Sequence, residues 1–141
     1  MGMIKVLLVD DDLVDRRAVL RGFSRAGLDA EIQVASDGLE ALEILRSDGL
    51  QQRVDQPFLV LLDLNMPGMG GLAFLEEVRN DPSLRRTIIF VLTTSDSDED
   101  RLAAYDHFVA GYILKSQAGR NFEGLLAMLQ AYWSVVTRPT Q

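Results

Sequence analysis

The chain of 141 residues contains no cysteine. Disulfides, thiolate nucleophiles and zinc thiolate sites are excluded, and nothing calls for an oxidising compartment. Basic charge is also short: 14 Lys and Arg stand against 21 Asp and Glu, for a net charge of -7. Duplex nucleic acid is a poor partner for such a surface, because phosphate binding needs a basic footprint; cations and basic protein surfaces suit it better. Long hydrophobic runs are missing as well. The first apolar stretch, 4–9, is far shorter than a membrane span or a secretory signal core. Gly2 follows the initial Met, but Val6 stands where a myristoylation signal needs Ser or Thr. A cytoplasmic protein without a membrane segment is the expectation. Heptads, periodic glycine and long internal repeats are absent too, which removes fibrous and solenoid architectures.

What is present is an ordinary globular composition, 48% hydrophobic and 25% charged, in a length that suits one domain with a real core. Short apolar runs near 4–9, 31–35, 58–62, 87–92 and 111–114 alternate with stretches of helical spacing, the pattern of βαβ units around a parallel sheet. The intervening helices are expected over 13–26, 37–46, 72–80, 97–108 and 121–136. The first presents Val19, Leu20, Phe23 and Ala26 on one side, the second Leu39, Leu42 and Leu45, and the third Leu72, Leu75 and Val78 before Pro82 stops it. Ser97 with Asp98, Glu99 and Asp100 makes a good helix start, and Asp96 precedes it. The last helix carries Phe122, Leu125, Leu126, Leu129, Tyr132, Trp133 and Val136 at i, i+3, i+4, i+7 spacing. Five strands and five helices are the inventory of a flavodoxin-like doubly wound sheet, whose ligands sit at the carboxyl ends of the strands. The stretch 47–57 is a long connection, read as an exposed loop.

Two apolar runs end on acid. Ile4-Lys5-Val6-Leu7-Leu8-Val9 runs into Asp10-Asp11-Asp12, and Leu59-Val60-Leu61-Leu62 runs into Asp63 before Asn65, Pro67 and Gly68 break the pattern. If the first and third strands are neighbours, Asp10, Asp11 and Asp63 converge and repel, so a cation belongs among them. Mg2+ fits, since it prefers oxygen ligands and is often held by one or two carboxylates plus phosphate; Mn2+ is a similar substitute. Thr93 closes the fourth strand and Lys115 the fifth. A metal, a hydroxyl and an ammonium together neutralise a tetrahedral oxyanion, which makes covalent phosphorylation of Asp63 coherent chemistry. Asp12 reads as the cap of the first helix rather than a ligand, and His107, the single histidine, as a surface or capping residue.

These residues in this order resemble the receiver domain of two-component response regulators, over about residues 3–137. The resemblance implies strand order 2-1-3-4-5. It implies that Asp63 accepts a phosphoryl group from the phosphohistidine of a histidine kinase. Asp11 and the Asn65 backbone carbonyl would join Asp63 on Mg2+, with Asp10 assisting through water. Thr93 would be the switch hydroxyl, Tyr112 the switch aromatic and Lys115 the phosphate-pairing ammonium. Many receivers place Pro after that Lys, often in a cis peptide, whereas here Ser116 follows; a non-proline cis bond costs about 2.5–4 kcal/mol. Thr94 stands where many receivers have a smaller residue, so altered dephosphorylation is expected.

A narrower likeness is to the single-domain regulators that partner bacterial phytochromes. It rests on Leu92-Thr93-Thr94-Ser95 followed by acids, on Gly111-Tyr112-Ile113-Leu114-Lys115-Ser116 without Pro, on the long loop before the third strand and on Tyr132-Trp133. Met128 and Val135 widen the apolar surface of the last helix, so a homodimer through the fourth helix, fifth strand and last helix is expected. After Thr137 only Arg138-Pro139-Thr140-Gln141 remain, so one receiver domain without an effector is expected, with output through protein contacts. A haloacid-dehalogenase phosphatase would need a second Asp where Asn65 stands, and a flavodoxin would need a Ser, Thr and Gly loop in place of Asp10-Asp11-Asp12-Leu13. The remaining alternative is a pseudo-receiver that keeps the fold as an interaction module without phosphotransfer.

Overall fold

The computed structural model describes residues 4–51 and 59–139, with backbone alone over 48–51. Five strands, β1 (Ile4–Val9), β2 (Ala30–Ala35), β3 (Leu59–Leu62), β4 (Ile88–Thr93) and β5 (Gly111–Leu114), alternate with helices α1 (Leu13–Ala26), α2 (Gly38–Gln51), α3 (Gly71–Asn80), α4 (Asp98–Asp106) and α5 (Glu123–Val135). All strand pairs are parallel, in the order β2-β1-β3-β4-β5. β1 therefore lies between β2 and β3, at the point where the chain reverses its direction of winding. Register aligns the carboxyl ends: Val9 lies opposite both Ala35 and Leu62, Leu62 opposite Val91, and Thr93 opposite Leu114. Whatever follows those residues is delivered to one rim.

Side chains alternate across a strand, and the core divides accordingly. Leu7, Val9, Val60, Leu62, Ile89 and Val91 face α2, α3 and α4, meeting Leu42, Leu45, Phe74, Leu75, Val78 and Ala104. Val6, Leu8, Leu59, Leu61, Phe90 and Leu92 face α1 and α5, meeting Val19, Phe23, Leu125, Leu126, Leu129 and Trp133. The near-continuous apolar runs of β1, β3 and β4 are what a strand covered on both faces requires. On the second face α1 and α5 approach closely because Gly22 has no side chain; a Cβ there would come within 3.0 Å of the Asn121 carbonyl and of Leu126.

Several expectations are corrected. Leu20 and Ala26 of α1 are exposed, because that helix buries only the narrow stripe of Val19, Gly22 and Phe23. Leu39 is 54% exposed, and Val136 lies beyond the end of α5. α2 continues to Gln51, through Ser47-Asp48-Gly49. One interior glycine costs a helix only about 1 kcal/mol, which does not end it. The long loop expected over 47–57 is shortened accordingly, and its remainder, 52–57, lies outside the described residues, as does Phe58. α5 begins at Glu123 rather than 121 because Asn121 and Phe122 have φ of 52° and 61°, outside the helical region. No described peptide bond is cis, including that after Lys115.

At the amino end of the sheet, Arg79 from the last turn of α3 ties three segments together. Its guanidinium donates to the carbonyls of His107 (2.6 Å), Arg85 (2.8 Å), Thr87 (2.8 Å) and Phe108 (3.1 Å). These carbonyls belong to the approach to β4 and the turn before β5, where Phe108 takes φ of 60°. Burial pushes the pKa of Arg79 down, against which the four acceptors hold it in place. Arg79→Ala removes the donor from four carbonyls, of which those of His107 and Thr87 are part-buried, and should destabilise the protein by about 2–4 kcal/mol in urea denaturation. Arg79→Lys should recover little, because a point charge cannot reach acceptors spread around a planar fork. A loss below about 1 kcal/mol for the alanine variant would contradict this role.

Candidate functional site

Four of the five strand ends supply the rim of the sheet with a group. Asp10 follows β1, Asp63 follows β3, Thr93 ends β4 and Lys115 follows β5. Backbone bonds prolong the ladder into the site, with Asp10 N donating to Ala35 O (3.0 Å) and Asp63 N to Val9 O (2.9 Å). Both carboxylates are consequently held rigidly, and both are buried, Asp10 at 1% and Asp63 at 6% exposure.

Asp63 is the hub. Its Oδ1 accepts from the Thr93 hydroxyl (2.9 Å) and the Asn65 amide (3.3 Å), and its Oδ2 accepts from Lys115 Nζ (3.2 Å). Lys115 also donates to Asp10 Oδ2 (2.9 Å), while Asp10 Oδ1 accepts from the Asp12 amide (2.9 Å). Carboxylate oxygens of Asp10, Asp11 and Asp63 all lie within 4.8 Å of one another, with Asp11 exposed at the mouth. A third carboxylate on Lys115 was missed in the sequence. Asp15, in the first turn of α1, accepts from Nζ at 2.7 Å, the shortest of the three contacts. The helix start at Leu13 placed Asp15 beside the rim, so the signal was present.

Burial opposes the charge of Lys115, yet the hydrogen bonds to Asp10 and Asp15 and the charges of Asp10 and Asp63 outweigh it and hold its pKa above the ordinary lysine value. For Asp10 the balance is reversed. Desolvation raises its pKa, Lys115 and the Asp12 amide pull it back only in part, and the charge of Asp63 adds to the rise. The two directions are compatible, since one lysine serves three acids while each acid has only a share of one lysine. The oxygen set is short of positive charge and consists of hard donors. Mg2+ fits it, with Mn2+ as substitute.

The loop behind Asp63 has no slack. A Cβ on Gly71, at the start of α3, would sit 2.5 Å from the Asp63 carbonyl oxygen and 2.7 Å from Leu64 Cα. On the other side, the Ser95 amide donates to Thr93 Oγ1 (3.3 Å), and the Ser95 carbonyl accepts from the Tyr112 hydroxyl (2.8 Å). Ser95 Oγ donates to Asp100 Oδ2 (2.6 Å). A continuous set of contacts thus runs from Asp63 through Thr93 and Ser95 to Tyr112, whose ring packs against the first core cluster. Asp12 caps α1 through the amides of Val14 and Asp15, Ser97 caps α4 with Asp98, Glu99 and Asp100 in its first turn, and His107 is the C-cap of α4. All three take the structural positions expected of them.

Residues 6–127 match the response regulator receiver domain. The chain belongs to the response regulator receiver family. It is a signalling receiver of the kind used in two-component systems. Over 138 residues it is 36% identical to the response regulator Rcp1 of Synechocystis sp., covering 95% of this chain and 92% of that one. Among solved structures it resembles the phosphorylated cyanobacterial phytochrome response regulator RcpA, with a TM-score of 0.83, 32% identity, and 98% and 99% of the two chains covered. It also resembles the Mn2+-bound form of Rcp1, with a TM-score of 0.77, 32% identity, and 96% and 99% covered. The fold expected from the sequence, a five-stranded 2-1-3-4-5 sheet with five helices, is the fold of this receiver. No helix among the described residues is long and apolar enough to cross a membrane.

The raised pKa of Asp10 carries a sign. A carboxyl whose folded pKa lies above its unfolded value opposes folding while ionised and ceases to do so once protonated. Without divalent cation, Asp10→Asn should therefore raise the urea midpoint at neutral pH. The gain should shrink as the pH falls through the raised pKa, where wild-type Asp10 takes up its proton. The same variant should weaken Mg2+ binding about 10–100-fold in calorimetric titration. A lowered midpoint in EDTA would contradict the desolvation reading.

Proposed function

We propose that the protein is a phosphoacceptor response regulator in which Asp63 receives the phosphoryl group of a kinase phosphohistidine. The observation that carries this reading is the set of partners on one buried carboxylate: Thr93 and Asn65 on Oδ1 and Lys115 on Oδ2. In the transfer the N–P bond of the phosphohistidine breaks, an O–P bond to Asp63 forms, and the imidazole leaves. Lys115 and the Thr93 hydroxyl are donors already gathered on the carboxylate that receives the group, so both stand beside the new oxyanion and need only exchange partners to reach it. Asp11, Asp63 and the Asn65 carbonyl are the proposed ligands of Mg2+, with Asp10 reaching it through water. The bound ion would offset the repulsion between the acidic rim and the phosphoryl oxygens.

The signal then has a path. Once Asp63 carries the phosphoryl group as an acyl phosphate, Thr93 Oγ1 follows a phosphoryl oxygen instead of Oδ1, and the Ser95 amide bonded to that hydroxyl moves with it. The Ser95 carbonyl holds the Tyr112 hydroxyl, so Tyr112 is repositioned, and with it the face of α4, β5 and α5. That face carries exposed apolar groups, Leu102 at 66%, Tyr105 at 46% and Val135 at 81%. It is the proposed surface for a second copy or a target protein. Trp133 and Met128 do not belong to it. Trp133 is buried under the Arg138 guanidinium, 3.8 Å from its ring centre, and Met128 packs against the core. A cytoplasmic histidine kinase of the phytochrome type is the proposed donor, in keeping with the likeness to RcpA. A DNA partner is disfavoured by the net charge of -7.

Acetyl phosphate with Mg2+ should add one phosphoryl group, read by intact mass, and Asp63→Asn should abolish the addition. Wild type and variant behaving alike would leave the pseudo-receiver reading in its place. Thr94, exposed beside Thr93, is expected to screen the phosphoryl group from water, so Thr94→Ala should lose the label faster while acquiring it at an unchanged rate. For the donor, phosphotransfer profiling against histidine kinases should favour a photoreceptor kinase, with a difference between light and dark. Val135→Asp should reduce any phosphorylation-dependent association seen in sedimentation, and an unchanged sedimentation coefficient would remove α5 from the interface.

A further inference from the structure

We propose that Asp15 is a positioning residue that competes with the phosphoryl oxyanion for Lys115. This inference rests on the phosphoacceptor reading of Asp63 and deepens it. An ammonium group has three hydrogens and no more, and around Lys115 they are distributed among Asp15 (2.7 Å), Asp10 (2.9 Å) and Asp63 (3.2 Å). Any oxyanion arriving on Asp63 must therefore take a hydrogen already in use. Asp10 and Asp63 lie almost wholly inside, with side chains 2% and 8% exposed, and each has further backbone or hydroxyl partners. Asp15 differs on each count. Its side chain is 28% exposed and Lys115 is its one side-chain partner among the described residues.

Water can replace that contact at Asp15 more readily than at either buried acid. Asp15 is thus the member of the trio that yields Lys115 to the phosphoryl group, and its hold on Lys115 sets how strongly that group must pull. Its position on α1 also places a fourth negative charge beside the rim, which repels an anionic ligand through the same low-dielectric surroundings. Both effects act in one direction. Removing the charge should favour the oxyanion.

Beryllofluoride with saturating Mg2+, titrated onto the full chain by calorimetry or NMR, reads this competition without a covalent step. Asp15→Asn should bind beryllofluoride about 2–5-fold tighter than wild type, the range expected for releasing one partly exposed ion pair. Asp15→Glu, which keeps the charge, should return to the wild-type affinity. The sign separates competition from damage to the site, because a loosened site binds its ligand more weakly. Equal or weaker binding by Asp15→Asn, or tight binding by both variants, would overturn the proposal while leaving the phosphoacceptor reading standing. Failure of wild type to bind beryllofluoride at all would overturn that reading and this inference together.

Discussion

Three carboxylates and one ammonium group must occupy the same rim, and the rest of the molecule is arranged so that they do. Two like charges about 4 Å apart at an intermediate dielectric repel by about 4 kcal/mol, so Asp10 and Asp63 would not both stay ionised without Lys115 between them. The lysine lies 105 residues from Asp10 in the chain. Only the winding of the sheet, with β1 beside β3 and β5 two strands further on, brings it back. The charge balance remains incomplete, since one ammonium group faces three carboxylates, and burial adds to the cost of keeping Asp10 ionised. An incomplete balance is what a site needs if a divalent cation and then a phosphoryl group are to bind in turn.

Rigidity around the rim comes from residues that do no chemistry. Gly71 lets α3 start against the Asp63 carbonyl, where any side chain would displace the loop. Gly22 lets α1 settle against α5, and α1 carries Asp12 and Asp15 to the site. At the opposite end of the sheet, Arg79 fastens the entries to β4 and β5 through four carbonyls. β4 and β5 deliver Thr93 and Lys115, so their alignment is determined at one end and used at the other. The segment between Thr93 and α4 is held differently, by single hydrogen bonds through Ser95. Such a segment can change partners without disturbing the core.

Fold class, element order and most of the rim were legible in the sequence. Apolar runs of strand length ending in acid, hydroxyl and lysine placed Asp10, Asp63, Thr93 and Lys115 correctly, because strand periodicity and termination are local properties. Asp12, Ser97 and His107 were read as helix ends for the same reason. Burial was read less well. Leu20, Ala26 and Leu39 carry the right spacing but face water, while Met128, expected to widen the exposed apolar surface, packs against the core, since the width of a buried stripe depends on what lies against it. α2 outran its expected end because a helix is stopped by the sum of its contacts and not by one glycine.

By itself the sequence determined the inventory of chemistry: oxygen donors and one ammonium at strand ends, no thiol, and an acidic surface. Those are covalent facts, and strand termination is encoded within a few residues. Tertiary structure alone decided which acids share Lys115, that Asp15 is among them, and that Ser95 joins Thr93 to Tyr112. Each of these is a hydrogen bond between groups whose separation depends on how whole helices pack on the sheet. Asp15 and Lys115, 100 residues apart, meet only because α1 begins at the rim where β5 ends.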